Sequence, residues 1–90
     1  MTYLYVIRIS SDVRKVGHSR DPKRRCGRLS WEFGKRCTLE YTAACPAGMV
    51  RAAEKHAHAR LAAALIGGEM FRVDLETARA AVNSAVSPSA

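Results

Sequence analysis

Residues 3–18 read Tyr3-Leu4-Tyr5-Val6-Ile7-Arg8-Ile9-Ser10-Ser11-Asp12-Val13-Arg14-Lys15-Val16-Gly17-His18, and this stretch decides the fold. Both alternating faces of 3–9 are apolar: Tyr3, Tyr5, Ile7 and Ile9 on one, Leu4 and Val6 on the other. That is the pattern of a strand covered on both sides. Ser10-Ser11-Asp12 is a turn signal and Val13 to His18 reads as a second strand, so the two form a hairpin. With a three-residue loop over Ser10 to Asp12, Ile9 pairs with Val13 and Tyr5 lies opposite Gly17. Gly17 has no side chain, so a pocket opens beside the Tyr5 ring, with Lys15 diagonally across on the same face. A slip of one residue separates Lys15 from Tyr5. The plain alternative for Tyr5 is a core aromatic.

Downstream, Asp21-Pro22 opens a helix, with Asp21 as cap and Pro22 at the first helical position. Pro22, Cys26, Leu29 and Phe33 form its apolar stripe, and Gly34 ends it. Arg36 to Cys45 alternates as a third strand, with Cys37, Leu39, Tyr41, Ala43 and Cys45 inward and Thr38, Glu40 and Thr42 outward. Pro46-Ala47-Gly48 breaks it. Met49 to Ile66 is Ala-rich and reads as one helix, stopped by Gly67-Gly68. Glu69 to Val73 is a short extended piece, and Asp74 caps a last helix carrying Leu75, Ala78 and Val82. The order β-β-α-β-α-(β)-α is that of an α+β sandwich with helices on a small antiparallel sheet. One domain over residues 1–86 is expected, with a frayed tail over 87–90.

The 90 residues carry 15 Lys and Arg against 8 Asp and Glu, a net charge of +7. Nine of the basic residues lie between Arg14 and Arg36, against Asp21 and Glu32 alone, which accounts for the whole excess. One segment thus has the footprint of a polyanion site. The alternative is a solvated basic helix face without a partner. A hydrophobic content of 48% excludes a disordered basic tail. Cys26, Cys37 and Cys45 form no C-x-x-C pair, which argues against a disulfide scaffold or a zinc finger and for small core residues. No apolar run approaches membrane length, and a cytoplasmic protein with reduced thiols is expected.

Two helices hold residues that break the pattern. In the Ala-rich helix Glu54 falls about 40° from Val50, inside the apolar stripe of Val50, Ala53, Ala57 and Leu61. A carboxylate there needs a partner. It is read either as a buried ion pair with an Arg of the first helix or as a ligand for a hard cation such as Mg²⁺. His58, one turn on, is either bonded to backbone or catalytic. In the first helix Arg25 is the basic residue nearest the buried stripe, while Lys23, Arg24 and Arg28 face away. Trp31 stands opposite the core, either as a stacking platform for a base or as the cover of a chain end or dimer contact. Tyr5, Lys15, Arg25 and Glu54 then converge as a phenol, two cations and a carboxylate.

Tyr3-Leu4-Tyr5, Lys15-Val16-Gly17, Arg25, Glu54 and Gly68-Glu69-Met70-Phe71, in this order and spacing, resemble the GIY-YIG nuclease superfamily, in its phage and bacterial branch whose second motif reads lysine-isoleucine-glycine. The resemblance spans about residues 3–75. It implies a three-stranded antiparallel sheet flanked by helices, and Mg²⁺- or Mn²⁺-dependent endonucleolytic hydrolysis of nucleic acid, DNA before RNA. It gives Tyr5 the role of general base or water-orienting group, assisted by Lys15. It further implies that Arg25 stabilises the phosphate and that Glu54 binds the metal, with His58 as a further catalytic candidate. Tyr3 stands where the family has glycine, and a late asparagine of some members has no clear counterpart, Asn83 being a poor one. Arg14, Arg20, Lys23, Arg24, Arg28, Trp31 and Arg36 are the candidate nucleic-acid contacts. A catalytically inactive binding module on the same fold is the alternative, and a homodimer is compatible with either.

Overall fold

Strand β1 (Thr2–Ser10) is the centre of the molecule. Leu4, Tyr5, Val6 and Ile7 are completely buried, as two apolar faces require. The computed structural model describes residues 1–86; the tail expected over 87–90 lies outside the described residues. Strand β2 (Val13–Ser19) pairs antiparallel with one side of β1, and β3 (Thr38–Cys45) with the other. Helix α1 (Pro22–Phe33) packs on one face of the sheet. Helices α2 (Val50–Arg60) and α3 (Leu75–Val86) pack on the opposite face. Among the described residues no helix is long and apolar enough to cross a membrane.

The sheet has five strands, not the small three-stranded arrangement expected. Its order is β3-β1-β2-β5-β4, with β4 at Leu65–Gly67 and β5 at Met70–Phe71. The expected helix from Met49 to Ile66 is also shorter. It begins with a 3-10 turn at Ala47–Met49, stops at Arg60, and passes through another 3-10 turn at Ala62–Ala64. The cause is tertiary. The outer backbone groups of β2 need partners, and Gly68, at φ 57, folds the chain back so that β5 supplies them. Arg14 pairs with Phe71 and Lys15 with Met70, and the Val16 amide donates to the Glu69 carbonyl at 3.0 Å. The added hairpin covers only the first half of β2, leaving Gly17, His18 and Ser19 beyond its reach.

Two bulges adjust the pairing. Ser10, not Ile9, pairs with Val13, and the irregularity between Arg8 and Ser10 absorbs the difference, so Tyr5 still lies opposite Gly17. On the other side Val6 pairs with Tyr41 but Ile7 with Leu39, so Glu40 is an extra residue. That bulge reverses the pleat. Cys37 and Leu39 join Tyr5, Ile7, Ile9, Cys26 and Leu29 beneath α1, whereas Tyr41, Ala43 and Cys45 join Leu4, Val6, Val16 and Phe71 beneath α2 and α3. The single inward face expected for this strand is therefore divided between two cores. Burial of Leu4, Val6, Val16 and Phe71 each contributes about 1.5–3 kcal/mol. All three cysteines are free and buried.

Asp21 caps α1 by accepting from the Arg24 amide at 3.1 Å, and Gly34 closes it at φ 66. Phe33, expected in the buried stripe, is instead 42% exposed, because the helix ends there. Arg14, expected on the polyanion face, is buried. Its Nε donates to Glu40 Oε1 at 2.7 Å and its Nη1 to the Val73 carbonyl at 2.9 Å, while Arg8 stands 3.8 Å from the other Glu40 oxygen. This arginine ties the β3 bulge to the approach of α3. Arg14→Met leaves the Glu40 carboxylate short of its closest partner and is expected to cost about 2–3 kcal/mol in urea unfolding. The same variant keeps the salt dependence of oligonucleotide binding, because Arg14 reaches no phosphate; a shallower slope contradicts this placement.

Candidate active site

Tyr5 crosses β2 at Gly17. A β-carbon built on Gly17 would lie 2.6 Å from the Tyr5 hydroxyl oxygen and 3.0 Å from Glu69 Oε1, distances no side chain accepts without displacement. Glycine thus brings the phenol and the Glu69 carboxylate into one recess. The Tyr5 hydroxyl is buried and has no hydrogen-bond partner. Its pKa is pushed up to about 12, first by burial and further by the negative charges of Glu69 and Glu54; the Arg25 guanidinium pulls it down. Arg25 acts here by its charge, since no hydrogen bond of ordinary geometry reaches the hydroxyl. At neutral pH Tyr5 is therefore a phenol able to donate or to orient water, and not a base.

Lys15 is one step along the same face of β2, and its Nζ lies 3.1 Å from Glu69 Oε1. Glu69 holds this position because the Val16 amide anchors its carbonyl and Gly68 turns the chain just before it. Glu54 comes from α2. It is the half-buried residue among buried Val50, Ala53 and Ala57, as its helical phase requires. Its partner is not an arginine of α1. His18 Nδ1 lies 2.9 Å from Glu54 Oε2. That contact engages one carboxylate oxygen and fixes the side chain beside the uncovered half of β2.

The structure gathers Tyr5, Arg25 and Glu69, with Lys15 joined through Glu69; Glu54, on the α2 side with His18, bears on the phenol by its charge alone. It does not bring His58 into this group. His58 Nε2 is bonded to the Val16 carbonyl at 2.6 Å, and its ring packs 5.2 Å from that of Phe71. This is the backbone-bonded alternative of the sequence reading, and the catalytic one is set aside. Asn83 lies elsewhere, paired with the Tyr41 hydroxyl. Sequence reasoning missed two site residues. His18 was readable from the strand, since alternation places it with Val16 on the α2 side, where Glu54 needed a partner. Glu69 was visible in the Gly68-Glu69-Met70-Phe71 motif but had no assignable function until β5 brought it to Lys15.

Outside the recess, Arg20, Arg24, Arg25 and Arg28 line a groove of about 260 Å³ with Ser19 and Asp21. Arg25, whose charge bears on the Tyr5 hydroxyl, is thus also part of the groove. Lys23 and Arg36 edge a neighbouring hollow of about 400 Å³. Trp31 is 84% exposed. Except for Arg14 and Lys15, the basic residues of the 14–36 segment are exposed.

A phenol under the charges of a guanidinium and two carboxylates, beside a cationic groove on an α+β scaffold, is compatible with a nuclease-like or nucleic-acid-binding module. The chain matches the T5orf172 domain over residues 2–86 and belongs to that family, which is GIY-YIG-like and associated with nucleases. No curated protein and no solved structure gives a significant match to the chain.

The orphan hydroxyl gives the recess a measurable signature. Removing it by Tyr5→Phe deletes a desolvated donor, so stability at pH 7 is expected to stay level or to rise by about 1–2 kcal/mol. A raised phenol pKa stabilises the fold fully below pH 10, and that contribution is lost as pH climbs from 10 towards about 12. Over that window the wild type should lose about 2–3 kcal/mol relative to Tyr5→Phe in urea titrations. Parallel stability curves for the two proteins contradict the buried phenol.

Proposed function

We propose that this domain is a metal-dependent endonuclease that hydrolyses phosphodiester bonds in nucleic acid, DNA before RNA, by GIY-YIG-type chemistry. The observation that carries this reading is the unpartnered Tyr5 hydroxyl, under the charges of Arg25, Glu69 and Glu54, with Arg25 also lining a cationic groove. A purely structural core does not leave a desolvated phenol without a partner beside two carboxylates.

The donor set fits Mg²⁺ or Mn²⁺. Among the described residues no cluster of three or more His, Cys, Asp or Glu forms a dedicated cage. Mg²⁺, however, is commonly held by one or two carboxylates together with substrate phosphate and water. Glu54 suits that use, since His18 engages its Oε2 and steers the carboxylate. A cation held by Glu54 would supply charge neutralisation at the phosphate and at the leaving oxygen.

The protein's own groups do the remaining work. Arg20, Lys23, Arg24, Arg28 and Arg36 hold the backbone, and Arg25, where groove meets recess, takes the scissile phosphate. Tyr5 orients the attacking water with its hydroxyl. Lys15 positions Glu69, the carboxylate nearest the phenol, to accept the proton that water gives up. The hydroxyl is closed off in the resting protein, so substrate entry requires its cover to shift aside.

That closure is also the observation favouring a second reading, a module that binds nucleic acid and does not cut it. Incubation of plasmid and of branched, duplex and single-stranded oligonucleotides with Mg²⁺ or Mn²⁺ separates the two. The endonuclease yields nicked or cut products that chelation stops. Arg25→Ala reduces the rate by about 10²–10³, the scale of losing one preorganised charge donor, and Glu54→Ala abolishes cleavage. Wild type and Glu54→Ala should bind duplex with a log K against log salt slope near about −4, as about four phosphates require, and Arg25→Ala with a slope shallower by about 1. Binding of that strength without products under either metal selects the module, and Glu54→Ala at full activity removes the metal assignment.

A further inference from the structure

We infer that Trp31 is a stacking site for an unpaired nucleobase, so that the preferred substrate carries a single-stranded segment along α1. The inference rests on α1 being the nucleic-acid face and deepens that reading.

Trp31 is 84% exposed and is the only tryptophan of the chain. At 100° per residue, Arg24, Arg28 and Trp31 fall within about 60° of one another, diametrically opposite the buried Cys26 and Leu29. The indole therefore ends a row that starts in the arginine groove, about 10 Å along the axis from Arg24. Arg28 is committed only to an exposed i,i+4 pair with Glu32 at 3.2 Å, which a phosphate easily replaces.

Gly27, one turn before Trp31, lines a hollow edged by Lys23 and Arg36, so open space and positive charge lie alongside the turn that precedes the indole.

A protein partner fits less well. Phe33 lies on the far side of the helix from Trp31, and the other large exposed apolar residues among the described ones, Met1, Met49, Leu65 and Ile66, lie outside α1. A lone aromatic ring in a cationic row lacks the contiguous apolar area of a dimer interface. It has what a single strand needs, a π-face for the base and positive charge for the backbone. Inside a duplex every base face is already stacked on its neighbour.

Because Trp31 is the only indole, its emission reads the contact directly, without metal and without cleavage. Titration with a single-stranded DNA oligonucleotide is expected to quench it saturably. Single-stranded RNA of the same sequence should do likewise, since the ring reads the base face. A blunt duplex of equal length binds through the arginines without quenching. By anisotropy of a labelled strand, Trp31→Ala weakens single-strand binding by on the order of tenfold, Trp31→Phe retains most of it, and duplex binding is unchanged in both. Binding of single strands with unchanged emission overturns the inference. So does equal loss of duplex and single-strand affinity in Trp31→Ala, or emission that follows protein concentration and ignores oligonucleotide, which marks a dimer contact. None of these results depends on whether phosphodiester bonds are cut.

Discussion

The close approach of the Tyr5 phenol to the backbone at Gly17 is the constraint on which the rest of the molecule turns. It exists only because β1 and β2 pair in one register and because position 17 lacks a β-carbon. A phenol forced into that space loses water, finds no hydrogen-bond partner, and becomes a very weak acid. Everything polar nearby is arranged around this desolvated group. Glu69 and Glu54 bring negative charge, Arg25 opposes it, and Lys15 and His18 each hold one of the carboxylates.

The scaffold achieves this by leaving its sheet unfinished. The β4–β5 hairpin satisfies β2 only as far as Val16. Completing the cover would bury Gly17 and His18 beneath backbone, and omitting it would leave Arg14 and the Phe71 side of the core open. The same hairpin delivers Glu69. Structural and functional demands are thus met by one short element, and Gly68 makes the turn on which both depend. On the opposite edge, the Glu40 bulge and its arginines set the path of β3 and take no part in the recess.

Much of this was legible in the residues, and what was not has physical causes. A strand apolar on two faces, the Tyr5–Gly17 register, the Asp21 cap and the misplaced Glu54 all follow from short-range patterns, which the chain obeys. The end of α2 does not. Ala-rich propensity favours continuing the helix through Leu65, and only pairing with β5, itself held on the open edge of β2, makes Leu65 extended. Arg14 was assigned by counting charge along a segment. Strand alternation assigns it instead to the buried side, with Val16 and His18. The bulge at Glu40 leaves no mark in an alternating sequence. His58 and His18 exchange expectations for one reason: a histidine's partner is set by which strand carbonyl or carboxylate lies above it, which helical phase alone does not show.

The central claim is that Glu54, Tyr5 and Arg25 form one divalent-cation and phosphate site. Paramagnetic relaxation by Mn²⁺, read on the backbone amides in the presence of a short oligonucleotide, tests it most directly. The account predicts selective broadening at Glu54, at Gly17 and His18, and at Tyr5, with the exposed face of α3 unaffected. Broadening spread evenly over the acidic surface, or centred on Glu40 or Glu76, would contradict it.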